Sequence, residues 1–336
     1  MAPPRLTFFC ELEPAPLQEV ITSSLIQDLK ELHACVSLGI MDLSQERAQV
    51  VRRLNEAGVP LIAWLLLPRE QGYWFNMNNA PQAVQRYADF KDWTAQNELA
   101  WDGIGLDIEP DIRELVQFSK GKIRLLPEVL KRLFNRRRLV EASSAYLDLI
   151  IQIKADGYAV DSYQFPVIAD ERKVGSTLLQ RAAGLVDLPV DREVWMVYSS
   201  FLRPNGAGII ASYAPEAQAL GLGTTGAGVD AEFGDFPPLS WEEFSRDLRL
   251  AWYWCEDLHI FSLEGCARQG FMQLLKSFAW DSPILLPEES LARVKGWRGA
   301  LRSVLWTGSH ITAILVGVGA MFLTIKGMIR LLRRRA

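Results

Sequence analysis

The sequence predicts an α/β chain folded as one (β/α)8 TIM barrel and followed by a single apolar C-terminal helix. Three observations lead there. Eight short β-rich runs alternate with amphipathic helical stretches, the pattern of a parallel sheet. Those eight units fill residues 6–263, the scale of one closed barrel. Near the end of the chain, 23 residues between Arg302 and Lys326 carry no charge.

Taken in order, the predicted strands are Leu6–Leu12, Ala34–Met41, Pro60–Leu67, Gly103–Glu109, Tyr158–Phe165, Val194–Phe201, Ala219–Thr224 and His259–Leu263. The first run is short and is stopped by Glu11 and Glu13, so it reads as a strand and not as a secretory signal. Ser44 caps a helix that runs to Gly58, with Glu46 in its first turn. Asn79 and Pro81 open the next helix. Ile112–Phe118, Pro127–Phe134 and Ala142–Ile153 read as separate helical pieces, with Arg136, Arg137 and Arg138 as a solvated turn between two of them. Ser240 and Glu243 form a capping box before a Trp-rich helix. The glycine-rich stretch Gly221–Gly228 lacks the lysine of a phosphate cradle and reads as a strand-end loop.

Charge divides the chain. The formal net charge is −4, but residues 1–290 carry −13 and the last 46 carry +9. An acidic body argues against nucleic acid as a partner, because phosphate neutralisation needs a basic face. Cys10, Cys35, Cys255 and Cys266 form no C-x-x-C pair and read as reduced, mostly buried thiols. No cofactor and no metal site is expected: His33 and His259 fall near strand starts, away from the catalytic end of a barrel.

The apolar segment at residues 303–325 is long enough to cross a hydrocarbon core of roughly 30 Å. Trp306 and His310 sit at its N-terminal end, and basic residues flank both ends. The division expected is a barrel over 1–286, a basic juxtamembrane linker or helix over 287–302, a transmembrane helix over 303–325 and a basic tail over 326–336. The bilayer is then a partner through 303–325, and Ala313 with Gly317 offers a small-xxx-small face for a homo-oligomer. Lacking a signal, the barrel is expected on the cytoplasmic side, as a single-pass C-terminally anchored protein.

The chemistry is concentrated in the fourth strand, Trp101-Asp-Gly-Ile-Gly-Leu-Asp-Ile-Glu-Pro-Asp111. Side chains alternate faces along a strand. Ile104, Leu106 and Ile108 therefore pack outward, while Gly103, Gly105, Asp107 and Glu109 face the lumen. The two carboxylates end the strand at the catalytic end of the barrel. Like charges about 7 Å apart in a confined site push one pKa upward, which is what a proton donor needs near neutral pH.

Asp102, Gly103, Asp107 and Glu109 resemble the fourth-strand signature D-G-x-D-x-D-x-E of glycoside hydrolase family 18, the chitinase-like barrels. Met196-Val-Tyr198 is similar to that family's M-x-Y-D on the sixth strand. The resemblance implies Glu109 as acid/base, Asp107 as the carboxylate that holds an N-acetyl group, and Tyr198 as its hydrogen-bond partner. Gly105 stands where the family has its middle Asp, and Ser199 follows Tyr198 in place of an Asp. His259–Glu264 lacks the family's sugar-flooring Trp, and the third strand lacks S-x-G-G.

Other strand ends supply binding candidates for a carbohydrate or glycolipid substrate. These are Tyr73, Trp74 and Asn76 after the third strand, and Tyr163 and Gln164 on the fifth. Asp102, Met196, Glu11 and Glu264 complete the set. The expectation is a membrane-anchored glycosidase using Glu109 and Asp107. The alternatives are a catalytically inactive glycan- or protein-binding barrel, or a sugar isomerase or lyase.

Overall fold

The computed structural model describes residues 3–119, 126–226 and 236–335. The strands are β1 (Arg5–Cys10), β2 (Cys35–Ile40), β3 (Leu61–Leu65), β4 (Gly103–Ile108), β5 (Ala159–Gln164), β6 (Arg192–Met196), β7 (Ala219–Gly223) and β8 (Asp257–Phe261). Each pairs in parallel with the next and β8 pairs with β1, closing a barrel with no free sheet edge. All eight predicted strands are present. The sixth is the one most altered: β6 starts at Arg192 and ends at Met196, and Ser199–Leu202 forms a 3-10 turn.

Helices cover the outside, and period-2 alternation sends Ile104, Leu106 and Ile108 into the core between barrel and helices. Ser44 caps the helix Gln45–Glu56 by accepting from Arg47 N. Asn79 precedes the helix Ala80–Gln96, and the Ser240–Glu243 capping box opens Trp241–Trp252. The arginine run is not a turn. Arg136–Arg138 begin the helix Arg136–Ala155, because Asn135 caps it by accepting from Arg138 N and Glu141 pairs with Arg137. In the glycine-rich stretch, Gly221–Gly223 belongs to β7, and 227–228 lies outside the described residues.

The lumen is layered. At the strand-start end Arg192 bridges Asp161 at 2.5 Å and Asp257 at 2.7 Å, and His259 lies 3.5 Å from Asp257. Above them Phe9, Trp64, Tyr163 and Phe261 meet mainly edge to face, with Phe9 and Tyr163 centroids 4.7 Å apart. Tyr163 lies against Gly105, whose missing side chain leaves the space the phenol ring occupies. Its hydroxyl is 2.6 Å from Ser37 Oγ.

The last helix, Glu288–Arg335, docks on the barrel through its first turns. Gly208 of the helix Gly206–Tyr213 admits the Ser290 backbone, and Val294 is buried. Arg298 is buried too: its Nε is 3.1 Å from Asp170, its Nη2 is 3.2 Å from Glu216, and its guanidinium lies 3.8 Å over the Tyr213 ring. Arg302 reaches the same Asp170 at 2.6 Å.

The expected membrane anchor is not upheld. Among the described residues no helix is long and apolar enough to cross a membrane. The N-terminal end of the expected 303–325 span rests against protein: Leu305 is buried, Gly308 touches Leu178, and Ser309 bonds Ser176 at 2.8 Å. The side chains from 312 onward lie outside the described residues. The expected single-pass location is corrected accordingly.

Removing one partner of a buried ion pair strands the other charge. Arg298→Met is expected to lower the unfolding free energy by about 3 kcal/mol in urea titrations. Leu285→Ala, at a residue 93% exposed on the segment leading into the helix, serves as the control and should change it by less than about 0.5 kcal/mol. A loss no larger than the control's would show that the Arg298–Asp170 contact does not hold the helix.

Candidate active site

A cavity of about 380 Å³ opens at the C-terminal ends of the strands. Of the predicted site residues it gathers seven: Glu109, Asp107, Tyr198, Trp74, Tyr163, Met196 and Glu11. Five others lie elsewhere. Asp102 is at the opposite end of the barrel, where its Oδ2 accepts from Leu61 N at 2.7 Å. Gln164 points outward and donates to Ser162 Oγ and Glu193. Asn76 is a buried loop support: its Nδ2 donates to Trp74 O, and its Oδ1 accepts from Asn78 N. Glu264 is buried near Cys10, outside the cavity. Tyr73 lines a neighbouring cavity, where it bonds Glu11.

The carboxylates are placed by a clamp. The loop after β3 runs beside the end of β4, and Phe75 forms an isolated parallel bridge with Ile108. Phe75 N donates to Asp107 O at 2.9 Å, and Glu109 N donates to Phe75 O at 3.2 Å. Asn79 Nδ2 donates to the carbonyls of Gln71 and Trp74, which fixes the loop. Asn76, expected to meet a sugar, therefore helps build the clamp with Asn79. The aromatics divide: Trp74 faces the cavity and Phe75 joins the outer core.

Asp107 is the electrostatic centre. It is buried, its Oδ2 accepts from Trp64 Nε1 at 3.0 Å, and its Oδ1 has no hydrogen-bond partner in the protein. Burial raises its pKa well above the ordinary carboxyl value, and the charges of Glu109 and Glu11 raise it further; the Trp64 bond opposes them more weakly. Of the two neighbouring carboxyls, the deeper Asp107 is the one whose neutral form the site favours. Glu11 accepts a 2.5 Å bond from Tyr73, whose own pKa is raised by burial and by Glu11, so the phenol remains the donor. Tyr73 holds φ +65°, a strained backbone that delivers its hydroxyl to Glu11.

Aromatics missed by the sequence reading make the remaining wall: Phe9, Trp64, Phe165, Phe201, Phe236 and Phe261. The available signal was alternation: Phe9 shares a strand face with Glu11, and Trp64 shares the lumen face of β3. The thiols are not nucleophiles. Burial pushes Cys35 and Cys266 up to about 12, and Cys10 also lies well above its ordinary value. Among the described residues no group of three or more His, Cys, Asp or Glu is arranged to hold a metal ion.

No protein-family model and no curated protein matches this chain. Solved structures similar to it include a xylose isomerase-like TIM barrel protein from Mycobacterium smegmatis in complex with magnesium. It is 11% identical over 82% of this chain and 99% of that one, with a TM-score of 0.40. A xylose isomerase domain protein from Planctomyces limnophilus is 11% identical over 90% and 97%, at 0.39. D-Psicose 3-epimerase with D-tagatose from Clostridium cellulolyticum H10 is 10% identical over 90% and 99%, at 0.38. At such values no activity or residue role is carried over from them.

The chitinase-like assignment is corrected by these findings. No family 18 model matches, and the similar solved barrels are isomerase-like and epimerase proteins. The site also departs from the family 18 pattern. The place of the family's middle Asp is filled by the Tyr163 ring, and Ser199 turns away to bond the buried Asp247. A glycosidase, and with it the acetamido-holding role of Asp107 and Tyr198, is withdrawn.

A carboxyl whose folded pKa lies above its unfolded value of about 3.9 favours the fold only while protonated. That contribution is complete below about pH 4 and is lost as pH rises toward the folded pKa. Asp107→Asn keeps the Trp64 bond and does not ionise. Urea unfolding is expected to find it more stable than wild type at about pH 8, and close to wild type at about pH 4. An equal difference at both pH values would show that Asp107 is not held protonated by the fold.

Proposed function

We propose that the chain is an acid/base isomerase that moves a proton along a hydroxy-carbonyl compound, with Asp107 as donor and Glu109 as base. The observation that carries the reading is the buried Asp107, its pKa raised well above the ordinary carboxyl value, beside Glu109 at the barrel mouth. Opposed protonation states on neighbouring carboxyls are the requirement for concerted acid/base work.

In the forward step Glu109 takes the proton from the carbon bearing the substrate hydroxyl. The freed electron pair forms the carbon–carbon double bond, and the carbonyl oxygen takes the proton of Asp107, leaving an enediol. In the return step the proton on Glu109 goes to the former carbonyl carbon, while Asp107 recovers a proton from the neighbouring hydroxyl. The carbonyl moves by one carbon, and both carboxyls end as they began. Tyr73 orients Glu11, whose negative charge favours the proton on Asp107. The aromatic wall keeps water from the enediol. No step needs a metal.

The test is deuterium uptake from D2O into 1-hydroxy-2-alkanones, read by NMR. Glu109→Gln and Asp107→Asn are each expected to slow uptake by about 10²–10⁴-fold. A chelator is expected to leave it unchanged. Wild-type uptake by Glu109→Gln would remove Glu109 as the base, and loss of uptake on chelation would overturn the metal-free route.

A further inference from the structure

The mouth cavity has a neighbour. A second cavity of about 390 Å³ shares Phe165, Met196, Tyr198 and Phe201 with it, so these four side chains form a common wall. Its far side is Ile209 and the docked C-terminal helix, through Val294, Trp297 and Leu301. Almost all of this lining is carbon. Two of its polar groups are already engaged: the Tyr213 hydroxyl donates to Asp170 at 2.6 Å, and Arg298 is bound to Asp170 and Glu216. A polyhydroxylated chain placed there would lose its hydrogen bonds to water and find few replacements.

We propose that the ligand is a single-chain amphiphile: its hydroxy-carbonyl head meets Asp107 and Glu109, and its alkyl chain passes the Phe165–Phe201 wall into the second cavity under the C-terminal helix. The head-group chemistry rests on the proton-transfer reading; the chain site rests on the two adjoining cavities and their shared wall alone. The helix at 288–302 then has a direct role, since it supplies one wall of the substrate site. Trp297 is 46% exposed and Leu202 40%, which marks an apolar rim where a chain longer than the cavity emerges.

The experiment is calorimetric titration of 1-hydroxy-2-alkanones of four to twelve carbons into Asp107→Asn, so that binding is read without turnover. Affinity is expected to rise about fourfold per methylene until both cavities are filled, with a negative heat-capacity change. Leu301→Trp and Ile209→Trp plug the second cavity from opposite sides. Each is expected to stop the rise several carbons earlier and to weaken the twelve-carbon ligand at least tenfold, with the four-carbon ligand unaffected. Leu301 lies on the docked helix, so its variant keeps the test open if the Ile209 variant does not fold. Affinity independent of chain length, or a rise that ends at the same length with and without the plugs, would overturn the chain site. A chain-length effect with no deuterium uptake by wild type would overturn the chemistry and leave the chain site standing.

Discussion

The structure turns on one packing constraint: the Tyr163 ring lies across the lumen in the space left by Gly105. A side chain at position 105 would displace that ring, and with it the Ser37 bond and the edge-to-face contacts with Phe9 and Trp64. The ring divides the barrel in two. Below it, Arg192 is saturated by Asp161 and Asp257. Above it, Asp107 meets an indole N–H and two carboxylates. Were the lumen open, Arg192 would be the natural partner for Asp107, and a carboxylate paired to an arginine loses its proton readily. The aromatic layer forces the opposite outcome and leaves the Asp107 carboxyl with a raised pKa.

Much of the fold was legible because it depends on local pattern. Alternation in Gly103–Glu109 fixed which residues face the lumen, and the sheet agrees residue by residue. Caps at Ser44 and Ser240 are short-range hydrogen bonds, so their spacing alone announces them. The site was legible only where a strand carried it. Trp64 escaped notice because its role depends on a partner 43 residues away. Asn76 was assigned to a ligand because a buried amide and a binding amide have the same composition; only the closed loop reveals that Trp74 O and Asn78 N already satisfy it. Asp102 shares a motif with Asp107 but lies beyond the strand start, where its carboxylate meets the backbone of β3.

The charge split had a similar ambiguity. A basic segment beside an apolar run suits headgroups, but it suits an acidic protein surface equally well. Arg298 and Arg302 converge on Asp170, and Arg298 also reaches Glu216, so part of the +9 segment answers part of the −13 body. Hydropathy records that a residue avoids water and says nothing about what covers it. Leu305 is buried on the barrel side, and Gly308 lies against Leu178.

These two constraints meet at the ligand. A carboxyl retains its proton in the mouth only while the surroundings stay poor in water and in cations. A ligand that brought a hydrated polar chain into the cavity would carry water to Asp107, favour its ionised form and remove the donor. An apolar chain does the reverse. It displaces water from the Phe165, Tyr198 and Phe201 wall, lowers the local dielectric and strengthens the bias that keeps Asp107 protonated. The docked helix contributes by roofing the path of that chain, so the Arg298–Asp170 pair, far from the carboxylates in sequence, serves the same requirement as Tyr163: keeping the carboxyl pair in an environment of carbon.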